Sequence, residues 1–280
     1  MPELPEVEVT RRSVTAGLLG ARVQAVERGA ALRWPLGCDP GWLVGRVAGA
    51  MQRRGKYLWL PLAPGPGAAA DPEGGLLIHL GMSGALSFAP ALPPRGPHDH
   101  FRLQTDRGGL WLTDPRRFGA VVWSTALDAD PARKLLATLG PEPFDPALTE
   151  ARFHAALQAR RAPVKTALLG GELVVGAGNI YACEALFLAR IDPRTPCRRI
   201  GPARSARLLA AVRRVLAQAI EAGGSTLKDF HDAQGAAGHY QDAARVYGRA
   251  GQPCENCATP LRRIVQNQRA TYFCARCQRR

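Results

Sequence analysis

Four cysteines near the C-terminus, Cys254-x2-Cys257 and Cys274-x2-Cys277, constrain this 280-residue chain more than any other feature. Two such pairs, sixteen residues apart, supply four thiolates at the spacing of a tetrahedral zinc site, and the intervening length suits a β-hairpin. Pairing as two disulfides is the alternative, and it belongs to an oxidising compartment. Four protein ligands leave no coordination position for water, so one zinc held here is structural. Its binding supplies about 10–16 kcal/mol, enough to fold a module too small to fold alone. Cys38, Cys183 and Cys197 are scattered and read as ordinary reduced thiols.

At 280 residues the chain is long enough for about two domains, each able to bury its own core. It has no unbroken apolar stretch long enough to span a bilayer. The start, MPELPEVEV, does not read as a basic-then-apolar leader, so a cytoplasmic protein is expected. The formal net charge of +14 favours a polyanionic partner, nucleic acid first. Almost all of the basic charge is arginine, which binds phosphate in bidentate fashion and stacks on bases; the lysines are only Lys56, Lys134, Lys165 and Lys228.

Up to about residue 125 the chain reads as one amphipathic helix followed by short strands. Pro5 suits a first helical turn, and Val7, Val14 and Leu18 mark one face. Apolar runs at 22–26, 56–62, 76–80, 101–105, 110–113 and 120–124 read as strands, with a hairpin signal at 106–109. Gly/Pro punctuation between them argues for an antiparallel sandwich or barrel, with an inert surface loop at 63–75. From about Asp130 the pattern turns helical: 130–140, a helix opened by Thr149, then 163–169, 179–190 and 202–222. Residues 225–247 are ambiguous.

Pro2 follows the initiator methionine, and removal of Met1 exposes a secondary amine beside Glu3 and Glu6. A backbone amine titrates near pH 7.7–8.0 against about 10.4 for lysine, so more of it is neutral and nucleophilic at neutral pH. Attack on a sugar C1′ forms an iminium that acidifies the 2′ proton. Taken by themselves, the residues leave this open, since Met-Pro-Glu is a common start.

The separate signals converge. PELPEVE from Pro2, QRRGKYL around Lys56, HLGMSG from His79, HDH at His98 and TDPRRFG from Thr113 resemble the formamidopyrimidine-DNA glycosylase family. So do VVGAGNIYACEALF from Val174, GGSTLKDF from Gly223, VYGR from Val246 and the cysteine module with QRATYFC. The resemblance covers the whole chain. It implies an α+β multidomain fold with an N-terminal helix-flanked antiparallel β-sandwich (1–128), a helical helix–two-turns–helix domain (129–245) and a zinc-finger β-hairpin (246–280). It also implies Pro2 as Schiff-base nucleophile, Glu3 as acid/base, Lys56 on the lesion phosphate and in β-elimination, and Arg269 on phosphate and in δ-elimination. Asn179 is implied at the lesion-side phosphate, and His98, Arg116 and Arg161 at DNA. Met82, Arg116 and Phe118 are implied as fillers of the gap left by an everted base. Without the resemblance, Met82 and Phe118 read as core, Asn179 as an N-cap and Lys56 as a solvated lysine. At Arg161 the family often carries lysine.

The implied activity is excision of oxidised purines (8-oxoguanine and formamidopyrimidines) from double-stranded DNA, followed by β,δ-elimination. The protein is expected to be a monomer with one structural Zn2+, bacterial, cytoplasmic and nucleoid-associated when acting. Two alternatives stay open: an endonuclease VIII-like enzyme for oxidised pyrimidines, and a non-catalytic zinc-finger DNA-binding protein. Leu4 and the intact DPRRFG favour the purine branch.

Overall fold

Helix α1 (Leu4–Leu18) starts with a reciprocal cap: the Glu3 side chain accepts from the backbone of Glu6, and the Glu6 side chain accepts from the backbone of Glu3. The computed structural model describes residues 2–65, 73–225 and 238–280. In the same helix the largely buried Glu8 accepts from Arg11 at 2.8 Å, Arg12 at 2.9 Å and Arg53 at 3.1 Å. Burial opposes its ionisation, but the hydrogen bonds from Arg11 and Arg12 and the attraction of Arg11 and Arg53 win, holding its pKa down at about 2. A depressed carboxylate pKa stabilises the fold above the ordinary value of 4.5, and that stability is lost as pH falls towards about 2. Glu8→Gln is therefore expected to lower the melting temperature at neutral pH and to flatten its decline between pH 4.5 and 2, a window that thermal melts would resolve.

The chain divides into two compact units. The first comprises Met1–Ala137 with Gly223–His239. Its strands, in chain order, are β1 (Val23–Arg28), β2 (Val47–Ala48), β3 (Gln52–Arg54), β4 (Tyr57–Ala63), β5 (Gly75–His79), β6 (Ala85–Ala89), β7 (Asp99–Thr105), β8 (Gly108–Thr113) and β9 (Ala120–Ser124). They form one antiparallel sheet ordered β1-β7-β8-β6 and a second ordered β2-β4-β5-β9, with β3 beside β4. Alternation decides the faces. Leu58, Leu60, Leu76, Ile78 and Val121 of one sheet share a core with Phe101, Leu103, Leu110 and Leu112 of the other, and α1 closes it with Val7, Val14 and Leu18. The outward residues Trp59 and Leu77 are covered by Ala132, Leu135 and Leu136 of helix α2 (Ala132–Leu136). Burial on both faces explains why β4 reads as an almost unbroken apolar run.

The second unit comprises Thr138–Ala222 with Tyr240–Arg280. Helices α3 (Glu150–Gln158), α4 (Val164–Gly170), α5 (Asn179–Leu188) and α6 (Pro202–Glu221) surround a core of residues such as Phe153, Leu168, Tyr181, Leu186, Leu208 and Val215. Thr149 caps α3 by accepting from the Arg152 N–H at 3.2 Å. Strands β10 (Arg262–Gln266) and β11 (Arg269–Phe273) form the expected hairpin, with Asn267 and Gln268 both at positive φ in its two-residue turn. Val246, Leu261 and Cys274 pack with Cys183 and Phe187 of α5.

Several expectations need correction. β2 and β3 do not emerge from the apolar pattern because two and three residues present too few alternations to read, and β6 (ALSFA) because it sets Leu86 and Phe88 among small residues and buries only Leu86. The helix expected over 130–140 stops at Leu136. The loop expected at 63–75 and the ambiguous segment from 225 fall partly on 66–72 and 226–237, outside the described residues. No helix among the described residues is long and apolar enough to cross a membrane.

Candidate active site

Pro2, Glu3 and Glu6 are all buried, and Pro2 lies just ahead of the N-terminus of α1. A helix N-terminus carries partial positive charge, which favours a neutral amine and an ionised carboxylate beside it. Glu6 is doubly engaged: Oε2 accepts from the Glu3 N–H at 2.7 Å and Oε1 from the Ser225 N–H at 2.8 Å. The carboxylate thus fixes the backbone next to Pro2 and also the residue from which the chain enters 226–237. Sequence reading places Glu6 beside the amine but misses this second bond, which spans 219 positions.

Lys56 is not a solvated lysine at a strand start. It is half-buried in the two-residue turn that joins β3 to β4, where Gly55 takes a positive φ. The Arg53–Glu8 ion pair ties this hairpin to the first half of α1, the helix that follows Pro2. Beside it, His79 pairs with Tyr57 across β4 and β5, the rings 4.6 Å apart. Burial, then the neighbouring Lys56 and Arg33, push the His79 pKa down to about 4. Its Nδ1 accepts from the Gly81 N–H at 3.0 Å, so the proton of the neutral ring sits on Nε2. His79 stands within the HLGMSG motif, yet nothing in the residue pattern alone distinguishes it.

Met82 and Phe118 are exposed, at 36% and 44%, and are not the core residues their types suggest. Met82 follows Gly81, whose φ of +65° turns the chain out of the sheet. The inward positions are taken by Leu80 and Leu86 instead. The Arg116 guanidinium lies over the Phe118 ring at 4.9 Å. His98 is also exposed, its backbone carbonyl accepting from the Asp114 N–H at 2.9 Å. The structure therefore gathers Met82, His98, Arg116 and Phe118 on segments bonded to one another.

In the second unit, Asn179 is not an N-cap. Gly178 is, and Asn179 is the first residue of α5. Its Oδ1 accepts from Lys165 Nζ at 2.6 Å, while Nδ2 donates to the Ala270 carbonyl at 2.9 Å and to the Tyr247 hydroxyl at 3.3 Å. Lys165 is fully buried and also donates to the Ala270 carbonyl at 3.1 Å and to Thr271 Oγ1 at 2.7 Å. Sequence reading counts Lys165 only as charge; a lysine shortly before a helix-ending glycine carries no signal of such burial. Arg269 begins β11 directly beside this network and is exposed. Arg161 is exposed before α4 and takes no part in it. Glu184 of α5 accepts from the N–H groups of Arg245, Val246 and Tyr247 at 2.8–3.0 Å. Burial raises its pKa despite those bonds.

The four cysteine sulfurs lie within 4.8 Å of one another, with Cys254–Cys277 at 3.9 Å and Cys257–Cys274 at 3.5 Å. Zinc–sulfur bonds of about 2.3 Å in a tetrahedron require sulfur separations near ~3.8 Å, whereas a disulfide requires about 2.05 Å. The donor set fits one structural zinc.

Known proteins agree over the full length. The formamidopyrimidine-DNA glycosylase N-terminal domain matches residues 1–121, the H2TH domain of the same enzyme 139–231, and a zinc finger found in FPG and IleRS 251–280. The formamidopyrimidine-DNA glycosylase of Acidovorax sp. (strain JS42) is 58% identical over 280 residues, covering 100% of both chains. That of Variovorax paradoxus is 54% identical over 279 residues, again covering 100% of both. Among solved structures, the MutM (FPG) protein from Thermus thermophilus is similar with a TM-score of 0.85 at 38% identity, over 99% of this chain and 98% of that one. A Lactococcus lactis FPG mutant in complex with a Fapy-dG-containing DNA is similar with a TM-score of 0.89 at 31% identity, over 100% of both chains.

Proposed function

The chain belongs to the formamidopyrimidine-DNA glycosylase family, and from that membership we propose how its own residues divide the work. The protein is a DNA glycosylase for oxidised purines with an abasic-site lyase activity, acting on damaged double-stranded DNA. The pyrimidine-lesion and non-catalytic alternatives are not favoured.

Pro2, freed of Met1, is the nucleophile that displaces the damaged base at C1′ and leaves an iminium on the sugar. Glu3 moves the protons, since it is the buried carboxylate adjoining the amine. Lys56 contacts the lesion phosphate and assists β-elimination. His79 keeps the neighbouring turn in place as a neutral ring and adds no positive charge beside Lys56. Asn179 and Arg269 receive phosphate. Both Nδ2 hydrogens of Asn179 already have partners, so phosphate is taken by the backbone N–H groups at the start of α5, or by exchange for the long Tyr247 bond. His98, Arg116 and Arg161 contact DNA, and Met82, Arg116 and Phe118 fill the space left by the everted base. Of the segments 1–128, 129–245 and 246–280, the first carries Pro2, Glu3 and Lys56, the second Asn179, and the third the zinc-held hairpin with Arg269. We place the protein in the bacterial cytoplasm, on the nucleoid when acting, as a monomer.

The observation that carries this reading is the buried, reciprocally capped Pro2–Glu3–Glu6 start of α1 in a chain matched by the family throughout. Borohydride trapping on a duplex with one 8-oxoguanine opposite cytosine, with mass mapping of the cross-link, tests it. An adduct on Pro2 is expected. An adduct on a lysine instead, or trapping only with thymine glycol, would sink it.

A further inference from the structure

We infer that Asp114 is the positioning residue of the base-eversion wedge: its buried carboxylate locks the Met82 turn and the Arg116–Phe118 loop into one rigid insert. This rests on the reading above that Met82, Arg116 and Phe118 enter the base stack. Asp114 directly follows β8 and is fully buried. Its Oδ1 accepts from the Ser83 hydroxyl at 2.6 Å and from the Arg116 N–H at 3.3 Å, and Oδ2 accepts from the Gly119 N–H at 2.7 Å. Ser83 is the neighbour of Met82, and Arg116 and Gly119 bracket Phe118. The Asp114 carbonyl accepts from the Arg117 N–H at 3.1 Å, which closes the turn from the inside.

The three donors to the carboxylate, the Ser83 hydroxyl and the Arg116 and Gly119 N–H groups, are all neutral dipoles. A buried charge compensated in this way becomes costly when any donor moves away. The two loops therefore cannot shift independently. Their backbones also abut: a Cβ on Gly81 would come within 2.5 Å of the Phe118 carbonyl carbon. A wedge ordered before it meets DNA loses less conformational freedom on insertion, which leaves more of its contact energy to offset the unstacking of the base. Asp114 reaches neither base nor sugar in this role and acts through the side chains it orients.

The test uses full-length, zinc-loaded protein. Asp114→Asn keeps the shape but replaces one acceptor by an NH2 group facing a donor. Single-turnover base excision from an 8-oxoguanine duplex is measured beside cleavage of a duplex with a preformed abasic site, where no damaged base has to leave the stack. The ratio of the first rate to the second is expected to fall about 10-fold or more, the effect of leaving one buried charged hydrogen bond unmade. A 2-aminopurine beside the lesion should show slower stack opening. In a Met82→Ala background, Asp114→Asn should add little, because both act on the same insertion. Ser83→Ala removes one of the same bonds with less risk to the fold, should shift the ratio the same way, and carries the test if Asp114→Asn does not fold. An unchanged ratio, equal losses on both substrates in a folded variant, or full additivity with Met82→Ala overturns the inference. Met82→Ala excising normally would show instead that the wedge reading itself is wrong, and the inference falls with it.

Discussion

A chain that keeps one extra residue ahead of Pro2 should give no borohydride-trapped adduct with an 8-oxoguanine duplex, and Pro2→Gly a strongly weakened one. In the extended chain the Pro2 nitrogen is part of a peptide bond, where resonance withdraws its lone pair. It can neither attack C1′ nor become an iminium. Excision should then drop by about 1,000-fold or more, as on removing a catalytic nucleophile. Pro2→Gly retains an amine, but a primary one. Its adduct is a neutral imine that must be protonated before it draws electrons from the 2′ C–H bond, whereas the proline adduct is a permanent cation. Glycine also lacks the ring that fixes φ ahead of the capped helix. Lesion-duplex affinity should change far less than rate in both variants. Wild-type trapping by the extended chain would mean that another amine is the nucleophile, and mass mapping would separate the extra residue's own α-amine from Lys56, on the hairpin tied to α1.

How much of this is legible in the sequence depends on whether the cause is local. The helical start at Pro5, the Thr149 cap, the hairpin signal at 106–109 and the cysteine spacing are written in neighbouring residues, and the structure repeats them. What the sequence hides depends on distant partners. Nothing near Met82 or Phe118 says that Leu80 and Leu86 have already filled the core, so side-chain type alone puts them inside. Asn179 looks like a cap because asparagine before a helical run generally is one; its actual partners, Lys165, Tyr247 and Ala270, lie up to 91 positions away. Asp114 is visible only as part of DPRRFG, and its bond to Ser83 spans 31 positions. The family resemblance supplies the roles of Met82 and Phe118 that residue chemistry does not, whereas the connections made by Glu6, Lys165 and Asp114 require coordinates.

Removing the zinc should damage more than the hairpin that the cysteines enclose. β11 begins with Arg269 and continues with Ala270 and Thr271, whose carbonyl and hydroxyl take two of the hydrogen bonds from the fully buried Lys165. The metal contributes on the order of 10–16 kcal/mol to holding such a module together, more than the hairpin can replace with its few buried side chains. When the strand leaves, Lys165 loses two of its acceptors, the Ala270 carbonyl and the Thr271 hydroxyl, at a cost of about 1.5–3 kcal/mol for each such hydrogen bond. Asn179 loses the carbonyl that orients its amide. Chelation, or Cys257→Ser, should therefore weaken lesion-duplex binding by about 100-fold or more, the free-energy equivalent of those two lost hydrogen bonds. It should also change the near-ultraviolet circular dichroism, because the Tyr247 and Tyr272 rings, 5.0 Å apart, separate. The slope of log affinity against log salt should shrink by roughly 0.9 for each phosphate that is no longer neutralised, with the one held by Arg269 the first to go. A stripped protein whose tyrosine signal collapses while affinity and salt slope hold would show that the hairpin does not position the phosphate-binding groups, and that Asn179 is held well enough by α5 and Lys165 alone.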